Sequence, residues 1–156
     1  MKMRVIVAVA LAGLAPLTFA VAQSSQERIS QNENGPRLGE IMMAKQWRHI
    51  KLWFAAKDHN WALAAYELAQ IRASLIEAAT LYSGIPVSDV ATMAEPIRSI
   101  EKAIQSKDQA GFVNAFNALT AGCNACHRDM GRDFIEIRVP AGSPFSNQVF
   151  VPSTKR

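Results

Sequence analysis

The five residues Cys123-Asn124-Ala125-Cys126-His127 bring together an imidazole and both of the chain's cysteines. Cys-x-x-Cys-His is the attachment signature of a c-type haem. On a helix, Cys123 and Cys126 lie three apart and share a face, so their sulfurs can reach the two vinyl groups of one porphyrin as thioethers. His127 then offers a ring nitrogen to the iron as proximal ligand.

Two other chemistries use a similar spacing. A disulfide oxidoreductase wants its Cys-x-x-Cys at a helix N-terminus after a strand, where the helix dipole lowers the thiol pKa. Here the pair comes late in a long helical pattern, and no βαβ pattern precedes it. A zinc site needs a fourth ligand, and a second Cys/His pair at finger spacing is absent. The motif therefore points to one covalent haem c.

A chain of 156 residues is long enough for one domain with one core and too short to make two the better reading. Residues 1–22 have the three parts of a secretory signal: Lys2 and Arg4, an apolar run from Val5 to Leu14, and Ala20-Val21-Ala22 as an A-x-A cleavage site. Gln23 would begin the mature protein. An uncleaved membrane anchor is the alternative, but Gly13, Pro16 and Thr18 interrupt the apolar stretch, and no stable membrane insertion is expected after cleavage. The 17 basic residues less Lys2 and Arg4, against 13 acidic ones, leave a net charge of +2, which makes no case for nucleic-acid binding. An exported protein with both cysteines committed to haem has no thiol for a structural disulfide.

Residues 23–36 read as a polar, turn-rich leader ending in Gly35-Pro36. From Leu38 to Lys57, apolar residues recur at helical spacing, and Met42, Gln46, His49 and Trp53 form one stripe. Asn60 is a good N-cap for a second helix from Trp61 to about Tyr82, whose alanines allow close approach and whose Leu68, Ile71 and Leu75 supply core. The short loop between them makes these two helices antiparallel neighbours. Gly84 suits the end of the second helix. Val87 to Ala94 forms at most a short helical turn, and the third helix proper is expected from Pro96 to Gln105. Asp108 caps a fourth, along which Phe112, Phe116, Leu119, Cys123, Cys126 and Met130 form a heptad seam facing the core. After Arg132 the character changes, and Pro140, Gly142, Pro144 and Pro152 exclude regular structure. Phe134, Phe145 and Phe150 are the expected pins of this tail, with a disordered tail as the alternative.

An exported chain with four predicted helices and Cys123, Cys126 and His127 on the last one resembles the cytochrome c-prime type of periplasmic c-type cytochrome. The resemblance spans roughly residues 38–133 as helix order, and only the haem motif is specific. It implies an all-α, antiparallel up-down-up-down four-helix bundle over residues 37–139, followed by an irregular C-terminal tail, 140–156. It also implies that the first helix faces the open side of the iron, with a methionine there in some members and a bare apolar side chain in others. Stretches such as Arg48-His49-Ile50-Lys51-Leu52-Trp53-Phe54 look like those of small proteobacterial cytochrome c proteins.

The sixth ligand stays open. A fourth helix carried to about Asp133 puts His127 about 9 Å from its end, and Ala44 at the same height on an antiparallel first helix. His49 and Met42 then lie to either side, with Met43 beside Met42; His49 is the candidate sixth ligand, Met42 or Met43 the alternative, and an iron with no sixth ligand the third case. Bis-histidine lowers the potential, methionine raises it, and an open iron admits small gases. His49 could equally be a core imidazole satisfied by a carbonyl, or a propionate partner, and His59 is expected to be solvated in its loop. Arg48, Lys51, Arg128 and Arg132 flank the expected site as candidate propionate partners, although each also fits an ordinary solvated face. No paired carboxylates, Ser-His-Asp set or phosphate loop argues for an enzyme.

The leading reading is periplasmic electron transfer with redox partner proteins. The alternatives are nitric oxide or carbon monoxide binding at a five-coordinate haem, and a haem subunit docking to a larger redox complex. A homodimer is left open.

Overall fold

The computed structural model describes residues 35–153, and within them the regular structure is entirely helical, with no strand. The expected signal segment and the leader as far as residue 34 lie outside the described residues. Four long helices and one short one follow in order: α1 Leu38–Lys57, α2 Trp61–Leu81, α3 Val87–Thr92, α4 Ala94–Ser106 and α5 Gln109–Asp129. None is long and apolar enough to cross a membrane.

Local chemistry sets most of these boundaries. Glu40 accepts a hydrogen bond from the Arg37 backbone N–H at 3.0 Å and sits in the first turn of α1, where a carboxylate complements the helix dipole. Asn60 Oδ1 accepts from the Leu63 N–H at 3.2 Å, and Asp108 Oδ1 accepts from the Gly111 N–H at 3.0 Å, so both expected N-caps are in place. The third long helix begins two residues earlier than expected. Pro96 is its third residue, where the missing N–H has no intrahelical partner to lose.

The C-terminus of α5 departs from expectation more consequentially. The helix stops at Asp129 rather than near Asp133, because Gly131 takes a left-handed conformation at φ 64°. The Arg132 N–H reaches the His127 carbonyl at 2.6 Å and the Gly131 N–H reaches the Arg128 carbonyl at 2.9 Å. This is a Schellman end, which satisfies two carbonyls of the last turn and reverses the chain. His127 therefore lies two residues, about 3 Å, from the end of its helix, and the height assigned to Ala44 above no longer applies.

Leu52, Ala55, Ala56, Ala64, Ile100, Phe112, Phe116 and Leu119 are fully buried and form the centre of the core. The helix α1 packs on α2 and α5, and α4 packs on α2 and α5. The small Ala55, Ala56 and Ala64 let α1 and α2 approach closely around their loop.

The tail is ordered against this core. Phe150 is buried against Phe54 with ring centroids 5.8 Å apart, and Phe145 packs edge-on to Trp47 at 5.3 Å. Phe134, expected as a third pin, is instead 76% exposed, and Val139 takes its place against the core. The Schellman reversal explains the exchange: it turns the face of the returning chain that carries Ile135 and Ile137 toward α5 and leaves Phe134 outside.

Candidate functional site

Cys123, Cys126 and His127 occupy the last two turns of α5 and line one cavity of about 680 Å³. The α1 stripe supplies a facing wall through Met42, Gln46 and His49, as its spacing predicts. The wall from α2 is apolar, and Tyr82, just past its end, lines the cavity with its hydroxyl donating to the Pro36 carbonyl at 2.5 Å. Met93, at the corner between α3 and α4, closes another side. A Cβ at Gly122 would lie only 2.5 Å from Met93 Sδ, so the bare glycine before Cys123 permits that approach.

His127 has one nitrogen committed. Its Nδ1 lies 2.8 Å from the Ile135 backbone carbonyl, which can only accept, so Nδ1 carries the proton. The lone pair then sits on Nε2, the arrangement a metal-ligating imidazole needs. The carbonyl comes from the chain returning after Gly131, and Ile135 and Ile137 of that return line the cavity.

His49 is placed differently. It is buried on α1, stacked on Phe116 with ring centroids 4.3 Å apart, and its Nε2 lies 2.8 Å from Thr120 Oγ1. The Thr120 hydroxyl spends its only proton on the Phe116 carbonyl at 2.9 Å, so His49 must donate from Nε2. Burial, reinforced by the positive charge of Lys45, lowers the His49 pKa from 6.5 to about 4 and keeps the ring neutral. Met42 is half-buried beside the cluster of Ile41, Ala78, Tyr82 and Ile85, whereas Met43 is 57% exposed. His59 is exposed in its loop, edge-on to Trp61.

The thiols are not activated. Burial raises the pKa of Cys123 and Cys126, with Asp89 adding to the effect at Cys126 and Lys45 opposing it at both. Their place at the C-terminal end of a helix gives the wrong sign of dipole for a thiolate. Among the described residues, no group of three or more His, Cys, Asp or Glu is placed to hold a metal ion.

Of the four flanking cations, Arg132 alone lines the cavity. Arg48 pairs at 3.0 Å with Glu67, which is 2% exposed; burial opposes the arginine's charge, but the hydrogen bond outweighs it and raises the pKa. Lys51 lies over the Phe145 ring, 4.9 Å from its centroid. Two cations of the cavity wall, Arg37 and Lys45, were not legible as such in the sequence. Burial lowers the Lys45 pKa, while the two thiols pull it the other way. Its position three residues after Met42 and four before His49 is the signal that places it beside the stripe.

No family model, curated protein or solved structure matches the chain. The functional reading therefore rests on the motif and the cavity around it. The donor set fits a haem: two thiols and a correctly protonated imidazole share one cavity, whose apolar lining is bordered by Arg37, Lys45 and Arg132.

Proposed function

We propose that this is a periplasmic c-type cytochrome that carries one covalent haem c and transfers electrons. Cys123 and Cys126 would hold the porphyrin through thioethers, and His127 Nε2 would bind the iron. The observation that carries the reading is the hydrogen bond of His127 Nδ1 to Ile135, because it prepares the opposite nitrogen for a metal beside both thiols. When bound, the haem supplies one-electron chemistry, and the protein supplies orientation, dielectric and charge.

In this reading the long helices form an antiparallel up-down-up-down bundle of the cytochrome c-prime type. The side-chain register between α1 and α5 supports it. His49 meets Thr120, while Trp53, one turn further along α1, meets Phe112 and Phe116, which lie back along α5. Seven residues back from His49 is Met42, and seven forward from Thr120 is His127. The same register leaves His49 about 10 Å from that level at 1.5 Å per residue. Met42 is therefore the residue we assign to the sixth iron position, in preference to His49. The cations Arg37, Lys45 and Arg132 would pair with the propionates.

Localisation follows from the signal-like residues 1–22, and the partners would be periplasmic redox proteins. The test is expression in a host with c-type maturation machinery, followed by a denaturing gel stained for haem peroxidase activity. Retention of the stain after acid-acetone extraction is expected, and its loss would overturn covalent attachment. A resting ferric protein that is already high-spin, and that binds carbon monoxide rapidly when reduced, would replace electron transfer with gas binding.

A further inference from the structure

Between the two cysteines, Asn124 is chemically idle in the haem motif itself, where the position serves as a spacer. Its side chain is nonetheless engaged at both its nitrogen and its oxygen. Asn124 Nδ2 donates to the Ile137 carbonyl at 2.8 Å, and the Ile137 N–H donates to Asn124 Oδ1, also at 2.8 Å. One carboxamide thus binds both backbone groups of a single residue, as a neighbouring strand would. No other side chain of this length offers a donor and an acceptor on one rigid plane.

Ile137 lies two residues beyond Ile135, whose carbonyl accepts from His127 Nδ1 at 2.8 Å. The chain between helix and clamp is short and held from its other end as well. The Schellman bonds of Gly131 and Arg132 fix its start, and the Ile135 N–H donates to the Arg132 carbonyl at 2.9 Å. The carbonyl facing His127 is therefore suspended between two anchors, the helix end and Asn124. Both bonds of the clamp are partly buried, so competition from water is reduced.

We propose that Asn124 is a positioning residue for the haem ligand: by clamping Ile137 it holds the Ile135 carbonyl on His127 Nδ1, and so sets the orientation and donor strength of the imidazole. A carbonyl on Nδ1–H makes the ring a stronger donor through Nε2. A stronger donor favours ferric over ferrous iron and lowers the reduction potential. Releasing the clamp lets the carbonyl drift and weakens that donor. The inference rests on the haem reading above, and the experiment separates the two.

The test uses the haem-loaded protein, its Asn124→Ala variant, and Ala125→Ser as a control at the other spacer position. Two quantities are read: the reduction potential, and the solvent exchange of the hyperfine-shifted His127 Nδ1 proton by NMR. Asn124→Ala is expected to raise the potential and accelerate the exchange, while Ala125→Ser leaves both at wild-type values. Loaded Asn124→Ala protein with wild-type potential and wild-type exchange overturns the positioning role and leaves the haem reading intact. A wild-type chain that takes up no covalent haem overturns the haem reading, and this role with it. If Asn124→Ala yields no loaded protein, hydrogen exchange on the loaded wild type decides. Protection of the Ile137 amide and the Asn124 carboxamide protons supports the clamp, and exchange of both at unstructured-chain rates overturns it.

Discussion

His49 Nε2 and Thr120 Oγ1 lie 2.8 Å apart with the proton on the imidazole, which ties α1 to α5 and leaves that nitrogen without a free lone pair. The pair separates two histidines that line one cavity. His127 has its proton on Nδ1 and a lone pair on Nε2; His49 has its Nε2 lone pair replaced by a proton.

On the proposed haem reading, the spin state of the ferric protein follows. Met42→Ala is expected to convert a low-spin resting protein to high-spin by EPR, whereas His49→Leu leaves the iron low-spin. The opposite pattern would return the sixth position to His49.

Acid should weaken the fold through His49. Its folded pKa of about 4 lies below the ordinary histidine value of 6.5, so between those values the unfolded chain binds more protons. The stability associated with the neutral ring is complete above pH 6.5 and is lost as pH falls toward 4, by up to about 3 kcal/mol. Urea unfolding of wild type and His49→Leu at pH 7 and pH 4 checks this. The variant should lose less between the two pH values, and equal losses would remove His49 as the cause.

Arg48 and Glu67 should prove structural rather than redox-active. Arg48→Met strands a carboxylate that is 2% exposed; with the arginine itself partly in water, the cost is expected near about 2 to 3 kcal/mol in urea unfolding. The reduction potential should not move. A shift in potential with unchanged stability would place Arg48 at a propionate after all.

Lys45 should show the reverse. Ferric haem carries one more positive charge than ferrous, so removing a nearby cation stabilises the ferric state and lowers the potential. Voltammetry of Lys45→Met is expected to show that fall, and an unchanged or raised value would move Lys45 away from the haem.

Phe150 anchors the tail. Phe150→Ala empties a buried site against Phe54 and Phe145 and is expected to cost about 3 kcal/mol in thermal or urea unfolding. A loss under about 1 kcal/mol would mean that the tail contributes little to the core.

What was legible in the sequence was what is decided locally. Leu38 and Lys57 bound α1 as the periodicity indicates, and Asn60 and Asp108 cap their helices because an N-cap depends on a residue and the three that follow it. The face carrying Met42, Gln46 and His49 was legible for the same reason. The partners of that face were not. Thr120 lies far from His49 in the chain, and nothing in periodicity links a threonine on one helix to a histidine on another. The end of α5 falls between these cases. Gly131 is a stop signal that the expected run to about Asp133 passes over, and the value of the reversal lies in Ile135 and Ile137, whose apolar-charged alternation suggests only a strand-like pattern and not a return along α5. Phe134 and Val139 exchange roles because one reversal decides which side of the returning chain is inside.

The contact between Phe54 and Phe150 joins the first long helix to nearly the last described residue. Such a closure makes completion of the core a late event relative to α1, since Phe54 has no Phe150 to meet until the residues between them are available. A polypeptide read from its N-terminus would therefore keep part of the apolar side of α1 in water until the tail follows. If residues 1–22 direct the chain across a membrane before it folds, lateness of this kind is compatible with transport: the pair that closes the core over α1 forms only once the tail has followed it.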